Sequence, residues 1–516
     1  MEHEEDIMSK KKKAKAVPAK KKSIDNTSTT QTSLDKYIQF GLLLLVFLLP
    51  LVVRLKMDVF ISPFISIGTI STGMHASFYS YYKWVILLSI TVVLLGLFII
   101  KMLKGYRLRS SYINLPLAVL AGIILWSTLW ADYKMVSLVG YYDQHMGALT
   151  YLAGLLLLFI AANTEFTERF GRLLTLALGT ATVLMAVISM INYVGIDLTQ
   201  YNAVRNLLAG SQYAEYAKGF FASTLGNQNH SSGLAAALLC YFVALLIWGR
   251  KQISPVLTGL FAVSAVVLLL TSLSSSGMVA AFIGLAGLIV LAGFDMGWRR
   301  VLMISSAAVI AGVIFIFSLA QLNPLLLMEL SYWKQYLPNQ PSVEEKAEDS
   351  PRGFLQQQDW LEAGSGRGYI WVNTVELIAD KPLLGHGANT LVYYYPHTDL
   401  NKNQKMIEVR TVVDKPHNAY LGIAFDFGLI ALALVLYLFM AYLFRSVRQF
   451  IRPPASEPNK AYQAAILGFI TAYLIQGLFN DFVIGSAPLF WILMGCGVAL
   501  YHSQTQPVNT LTQNQH

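Results

Sequence analysis

The stretch Asp414-Lys415-Pro416-His417-Asn418 sets an imidazole and a carboxamide directly before an apolar run that begins AYLGIAFDFG. Pro416 discourages helix ahead of it and Asn418 is a favoured N-cap, so a helix is predicted to start just after His417. A histidine there lies beside the positive end of a helix dipole, which disfavours imidazolium and leaves the ring able to accept a proton. The same helix end attracts anions such as phosphate. A base and an anion site would then share one place; the residues equally describe a capping asparagine beside an incidental interfacial histidine. Arg367, between Gly366 and Gly368, is a second candidate, because a guanidinium fork matches phosphate oxygens and its neighbours do not crowd a ligand. Arg410 precedes His417 closely enough in sequence to reach the same spot, and Asn227, Asn229 and His230 in LGNQNH form a polar cluster at the start of another helix. Ordinary loop solvation and cap-and-turn roles also account for these residues.

The elements that must position them are membrane helices. The chain has 516 residues, 55% hydrophobic and 13% charged, with a mean hydropathy of +0.51. The charged share is about half that of a soluble domain. A span needs about 20 apolar residues, and twelve such runs occur, near 38–55, 84–103, 112–131, 147–163, 173–195, 231–249, 255–273, 277–294, 301–320, 418–444, 461–479 and 487–502. The expected fold is therefore an all-α polytopic membrane protein with about twelve transmembrane helices.

The basic segments KKKKAK, KGYRLR, GRKQ, GWRR and RSVRQFIR alternate onto one side, which predicts a cytoplasmic face holding both termini. The net charge of +9 follows mostly from that asymmetry. The lysine-rich tail lacks aromatic residues and points to no nucleic acid. Cys240 and Cys496 lie in apolar runs and offer neither a disulfide framework nor metal spacing. The predicted order is a disordered basic tail (1–35), helices one to nine (36–320), a large outer loop (321–417), helices ten to twelve (418–502) and a short tail (503–516).

A loop of that length is uncommon without a function. Within it, GRGYIWVNTVELIADKPLLGHG places Ile370, Val375, Leu377 and Ile378 at helical spacing and ends at Pro382 and the Gly385–Gly387 turn. This predicts a short amphipathic helix near the outer membrane surface.

GRGYIWVNTVELIADKPLLGHGANT followed by VDKPHNAYLGIAFDFGLIAL resembles the signature region of the O-antigen ligase family, and TLGNQNHSSGLAAALL and YYDQHMGALTYL resemble it further upstream. The resemblance implies a polytopic GT-C-like glycosyltransferase that takes a glycan from a polyprenyl (undecaprenyl) diphosphate donor and passes it to an acceptor hydroxyl, without a metal or other cofactor. It also implies that His417 deprotonates or positions the acceptor, that Arg367 binds the diphosphate, and that Asn418, Asn227, Asn229 and Arg410 contribute to substrate binding. The acceptor is left open: a lipid-linked core, a growing polysaccharide or a protein. One departure stands out. Where the family carries Ser-Arg-Gly, this chain has TSLSSSGM with Ser276 at the arginine position, and Arg410 is the expected substitute. Two other classes compete: a multi-span transporter or flippase, which predicts intramembrane ionisable groups or broken helices, and a non-catalytic scaffold.

Overall fold

The computed structural model describes residues 21–60, 72–219, 223–331, 359–399, 412–451 and 457–505. Because lipid offers no hydrogen-bond partner, an apolar run must satisfy its backbone within itself, and each of the twelve runs falls on a helix. These are α1 (Lys21–Leu48), α2 (Tyr81–Leu103), α3 (Asn114–Trp130), α4 (Ala148–Ala162), α5 (Glu168–Tyr193), α6 (Gln228–Trp248), α7 (Pro255–Thr271), α8 (Ser275–Met296) and α9 (Trp298–Leu322). The outer-loop helix α10 (Asp359–Asp380) follows, then α11 (Ala419–Ile451), α12 (Glu457–Gln476) and α13 (Ala487–Thr505). Among the described residues five of them, α2, α5, α6, α8 and α11, are long and apolar enough to cross a membrane; α3, α4, α7 and the segments Gly312–Leu322 of α9 and Ala487–Tyr501 of α13 are shorter apolar stretches. The chain is an all-α multi-pass membrane protein, as its hydropathy predicts. Helix α1 begins at Lys21, inside the segment that composition assigns to a tail.

The buried centre is α6, which packs against α7, α8 and α12. Small residues let these backbones approach: a methyl at Gly277 of α8 would meet Ser232 backbone at 2.5 Å. Helix α4 packs on α13, and α3 lies against α11. An antiparallel hairpin, β1 (Lys56–Phe60) with β2 (Gly73–Ser77), caps one end, a feature the hydropathy pattern does not announce. Its Phe60 packs edge-on against Tyr141 and meets Val392 in a small apolar cluster.

The amphipathic outer helix forms as predicted, but it docks on protein. Ile370 and Ile378 are buried with Leu391, Tyr395, Val413, Ala424 and Phe425. Val375, expected on the apolar face, is 53% exposed.

The expected tenth span is not one continuous helix. Gly428 has φ +84°, which interrupts α11 between Ala419–Phe427 and Leu429–Ile451. The chain after α10 fills the break. Leu429 N donates to Pro382 O (2.7 Å), His386 N to Phe425 O (2.8 Å) and Gly387 N to Asp426 O (3.0 Å). From α3, Ser127 Oγ also donates to Asp426 O at 2.9 Å. A methyl on Gly428 would lie 2.2 Å from Leu383 O, in a backbone region that alanine resists. Gly428→Ala is expected to lower the detergent-solubilised melting temperature strongly, by the equivalent of at least about 1–3 kcal/mol. Gly122→Ala in α3, where a methyl meets nothing within 4 Å, should leave it unchanged. Equal melting of the two variants would show that the break is not a structural requirement.

Candidate functional site

The predicted cap forms. Asn418 Oδ1 accepts from Tyr420 N (3.0 Å) and Leu421 N (3.1 Å), while its Nδ2 donates to Leu478 O (3.1 Å). Ala419 N donates to Gly477 O at 2.8 Å, so the start of α11 is seated on the turn that links α12 to α13. That seat turns His417 into the left-handed region, φ +52°, which non-glycine residues adopt rarely and which commonly accompanies a functional constraint. Its ring Nδ1 lies 3.2 Å from Asp481 Oδ2. In the tautomer that carries its proton on Nδ1, toward Asp481, Nε2 keeps a lone pair able to take a proton.

Arg367 follows Gly366, whose φ of +80° turns the chain just ahead of it. One helical turn further on, Trp371 Nε1 donates to Pro416 O at 2.9 Å. Residues four apart share a helix face, so α10 carries Arg367 on the side that docks at the Pro416–His417 turn. Burial disfavours the guanidinium charge, and Asp481 opposes that effect.

Around this pair the loop Tyr141–Gly147 adds polar groups. Gln144 Nε2 donates to Asp414 Oδ2 in a short hydrogen bond, its Oε1 accepts from Asn389 Nδ2 (2.6 Å), and Asn389 N donates to Asp426 Oδ1 (3.0 Å). Two cavities, about 40 and 230 Å³, share Gln144, Met146, Lys415 and Phe482 in their walls. The smaller is also lined by Asp414, Asp426 and Asp481, the larger by Lys83, Asp143, Asn227 and His230. Burial works against the Asp481 charge, but His417, Lys415 and His230 hold its carboxyl below the ordinary range. Burial also works against Lys415, and Asp414, Asp481 and Asp143 together raise its ammonium above the usual value. Asp143 lines the larger cavity and keeps solvent exposure; partial loss of hydration there, with the Asp414 charge, pushes its carboxyl up to about 7.

The structure therefore brings His417, Asn418 and the Arg367-bearing face together. Asn227 lines the larger cavity, yet its Oδ1 is occupied in capping α6 through Asn229 N at 2.7 Å. Asn229 Oδ1 instead accepts from Ser274 Oγ (2.6 Å). At the position of the expected arginine, Ser276 Oγ is buried and accepts from Asn480 Nδ2 (2.9 Å). Arg410 lies outside the described residues. Three consecutive tyrosines of the outer loop make local contacts: Tyr393 stacks on Tyr133, Tyr394 OH donates to Asp132 (2.6 Å), and Tyr395 OH accepts from Asn373.

Sequence reasoning missed Lys83, Asp143, Lys415 and the pairing of Asp481 with His417. A lysine inside the first turn of an apolar run, and an aspartate in a short turn between two such runs, were the available signals.

Asp143 yields a pH prediction. A carboxyl whose proton affinity rises on folding, from 3.8 to about 7, stabilises the fold below its unfolded value and loses that contribution as pH rises through 7. Asp143→Asn removes this dependence. Relative to wild type, its melting temperature should therefore move upward between pH 5 and pH 8. A difference that stays constant across that range would contradict the raised carboxyl.

Residues 260–436 match the family model described as O-antigen ligase. The O-antigen ligase of Salmonella typhimurium is 28% identical over 133 residues, which is 25% of this chain and 31% of that protein. The matched stretch thus spans about a third of the curated relative's length. These matches agree with the resemblance that the sequence motifs carry. Arg367, His417 and Asn418 fall inside the matched segment, whereas Lys83, Asp143, Asn227 and Asp481 fall outside it.

Proposed function

We propose that this membrane protein is a glycosyltransferase that moves a glycan from a polyprenyl diphosphate to an acceptor hydroxyl. The His417–Asp481 pair, 3.2 Å apart beside the arginine-bearing face of α10, is the observation that carries the reading. The family match over the residues that supply His417 and Arg367 supports it. The basic segments on the opposite side support a reaction at the outer face of the cytoplasmic membrane, with both termini inside.

In this reading the acceptor oxygen attacks the anomeric carbon as the bond from that carbon to the phosphate oxygen breaks. The diphosphate departs with the electron pair, and His417 Nε2 takes the acceptor proton. Asp481 orients the ring and favours the imidazolium that results. Arg367 meets the charge that grows on the leaving group, where a poorly hydrated site makes a fixed cation effective. Asn418 holds the helix end that sets His417 in place. The resemblance extends equally to a lipid-linked core, a polysaccharide end and a protein as acceptor. Loss of attachment, of long chains or of protein glycan in a deletion strain separates the three.

Transfer in membranes with lipid-linked donor from the same cells tests the site. His417→Ala and Arg367→Ala, at matched protein amounts, should each lose at least about a hundredfold of the rate. Asp481→Asn should slow turnover more than it changes the apparent affinity for donor. Full activity in both alanine variants would sink the mechanism.

The break at Gly428 beside the buried Asp426 favours a second reading, transport of a lipid-linked substrate. Flux into proteoliposomes that persists in His417→Ala would establish it; absence of flux in wild type would remove it.

A further inference from the structure

We infer that Lys83, with Lys415 across the same cavity, holds the phosphate-bearing head group of the lipid-linked donor, in the role that Ser276 cannot fill. The inference rests on the donor reading above and assigns a cation to it from α2, outside the family match.

Lys83 is 1% exposed, and its Nζ donates to Thr224 O at 2.7 Å. An ammonium has three N–H groups. Among the described residues no other acceptor and no carboxylate is recorded at Nζ. Its position is also unfavourable for the helix that bears it, because a cation in the first turn of α2 opposes the dipole. Neither local helix stability nor a protein ion pair explains a lysine buried here. An incoming anion would.

The surroundings suit one. The cavity that Lys83 and Lys415 line, about 230 Å³, has the volume of about eight waters at about 30 Å³ each. The start of α6 opens on it through Asn227, adding the positive end of a second dipole. Gly485 makes room: a methyl there would come within 3.1 Å of Lys83 Nζ and 2.4 Å of Leu225 Cδ2. Asp143 is the carboxyl on the same wall, and an anionic ligand would oppose its ionisation further. By contrast, Ser276 has its hydroxyl engaged with Asn480 and brings no charge.

Binding to the purified full-length protein is the test, with undecaprenyl diphosphate, undecaprenol and inorganic diphosphate as probes. Wild type should prefer the lipid diphosphate over the alcohol by at least about tenfold, the scale of a hydrogen bond to a charged group. Lys83→Met should lose at least about tenfold in affinity for the diphosphate and nothing for the alcohol. Lys83→Arg should recover most of the loss. Lys83→Gln, which keeps a donor for Thr224 O, takes the place of the methionine variant if that one does not fold. Undiminished diphosphate binding in the neutral variants, with Arg367→Ala weakened, would overturn the lysine assignment and leave the donor reading standing. No preference for the diphosphate in wild type would overturn the donor reading and this inference together. Inorganic diphosphate binding as tightly as the lipid would show a free-anion site and overturn the head-group assignment.

Discussion

A helix that stops or breaks inside a bilayer leaves amides and carbonyls that lipid cannot satisfy, so protein must be brought to them. In this chain the demand is met at two places on α11. At Gly428 the segment after α10 supplies Pro382, His386 and Gly387 to the broken backbone. At Ala419 the turn between α12 and α13 supplies Gly477, Leu478 and Asn480. The first arrangement pins the outer loop to the bundle; the second carries Asp481 to His417. The candidate site is thus a consequence of how helix ends are satisfied.

That origin explains what the sequence discloses. Apolar runs are visible because one bilayer thickness imposes one length, and Asn418 and Asn227 are visible because capping is a local property. The break at Gly428 is hidden, since FDFGLIAL stays apolar across it and hydropathy does not register φ. Lys83 reads as a topology marker until Thr224 and Gly485 are found around it. Asp481 and Asp143 lie far in sequence from His417 and Lys415, and only the convergence of the α4, α6, α11 and α13 termini makes them neighbours. Arg367 and His417 were legible because the glycines around one and the proline before the other mark local backbone, independent of tertiary context.

Charge in the site is mixed. Lys83, Lys415 and Arg367 stand among Asp143, Asp414 and Asp481, with His230 and His417 between them. Asp481 pairs with His417 and Asp414 accepts from Gln144, while burial and the Asp414 charge push Asp143 toward neutrality. Such a balance keeps the empty site tolerable in a low dielectric and lets one bound anion change the sign of the local field.

The shortness of the first part of α11 bears on how the protein is made. Ala419–Phe427 rises only about 13 Å at 1.5 Å per residue, less than half a bilayer. It has no means of crossing on its own, and the residues that hold its start, Gly477, Leu478 and Asn480, are synthesised later. During insertion His417 therefore waits without its carboxylate until the hairpin of α12 and α13 has entered the membrane. A chain stalled before that hairpin carries the histidine, the arginine and the outer loop, yet lacks the carboxylate that orients the ring. The pairing of His417 with Asp481 is thus completed only when the last two helices have been made.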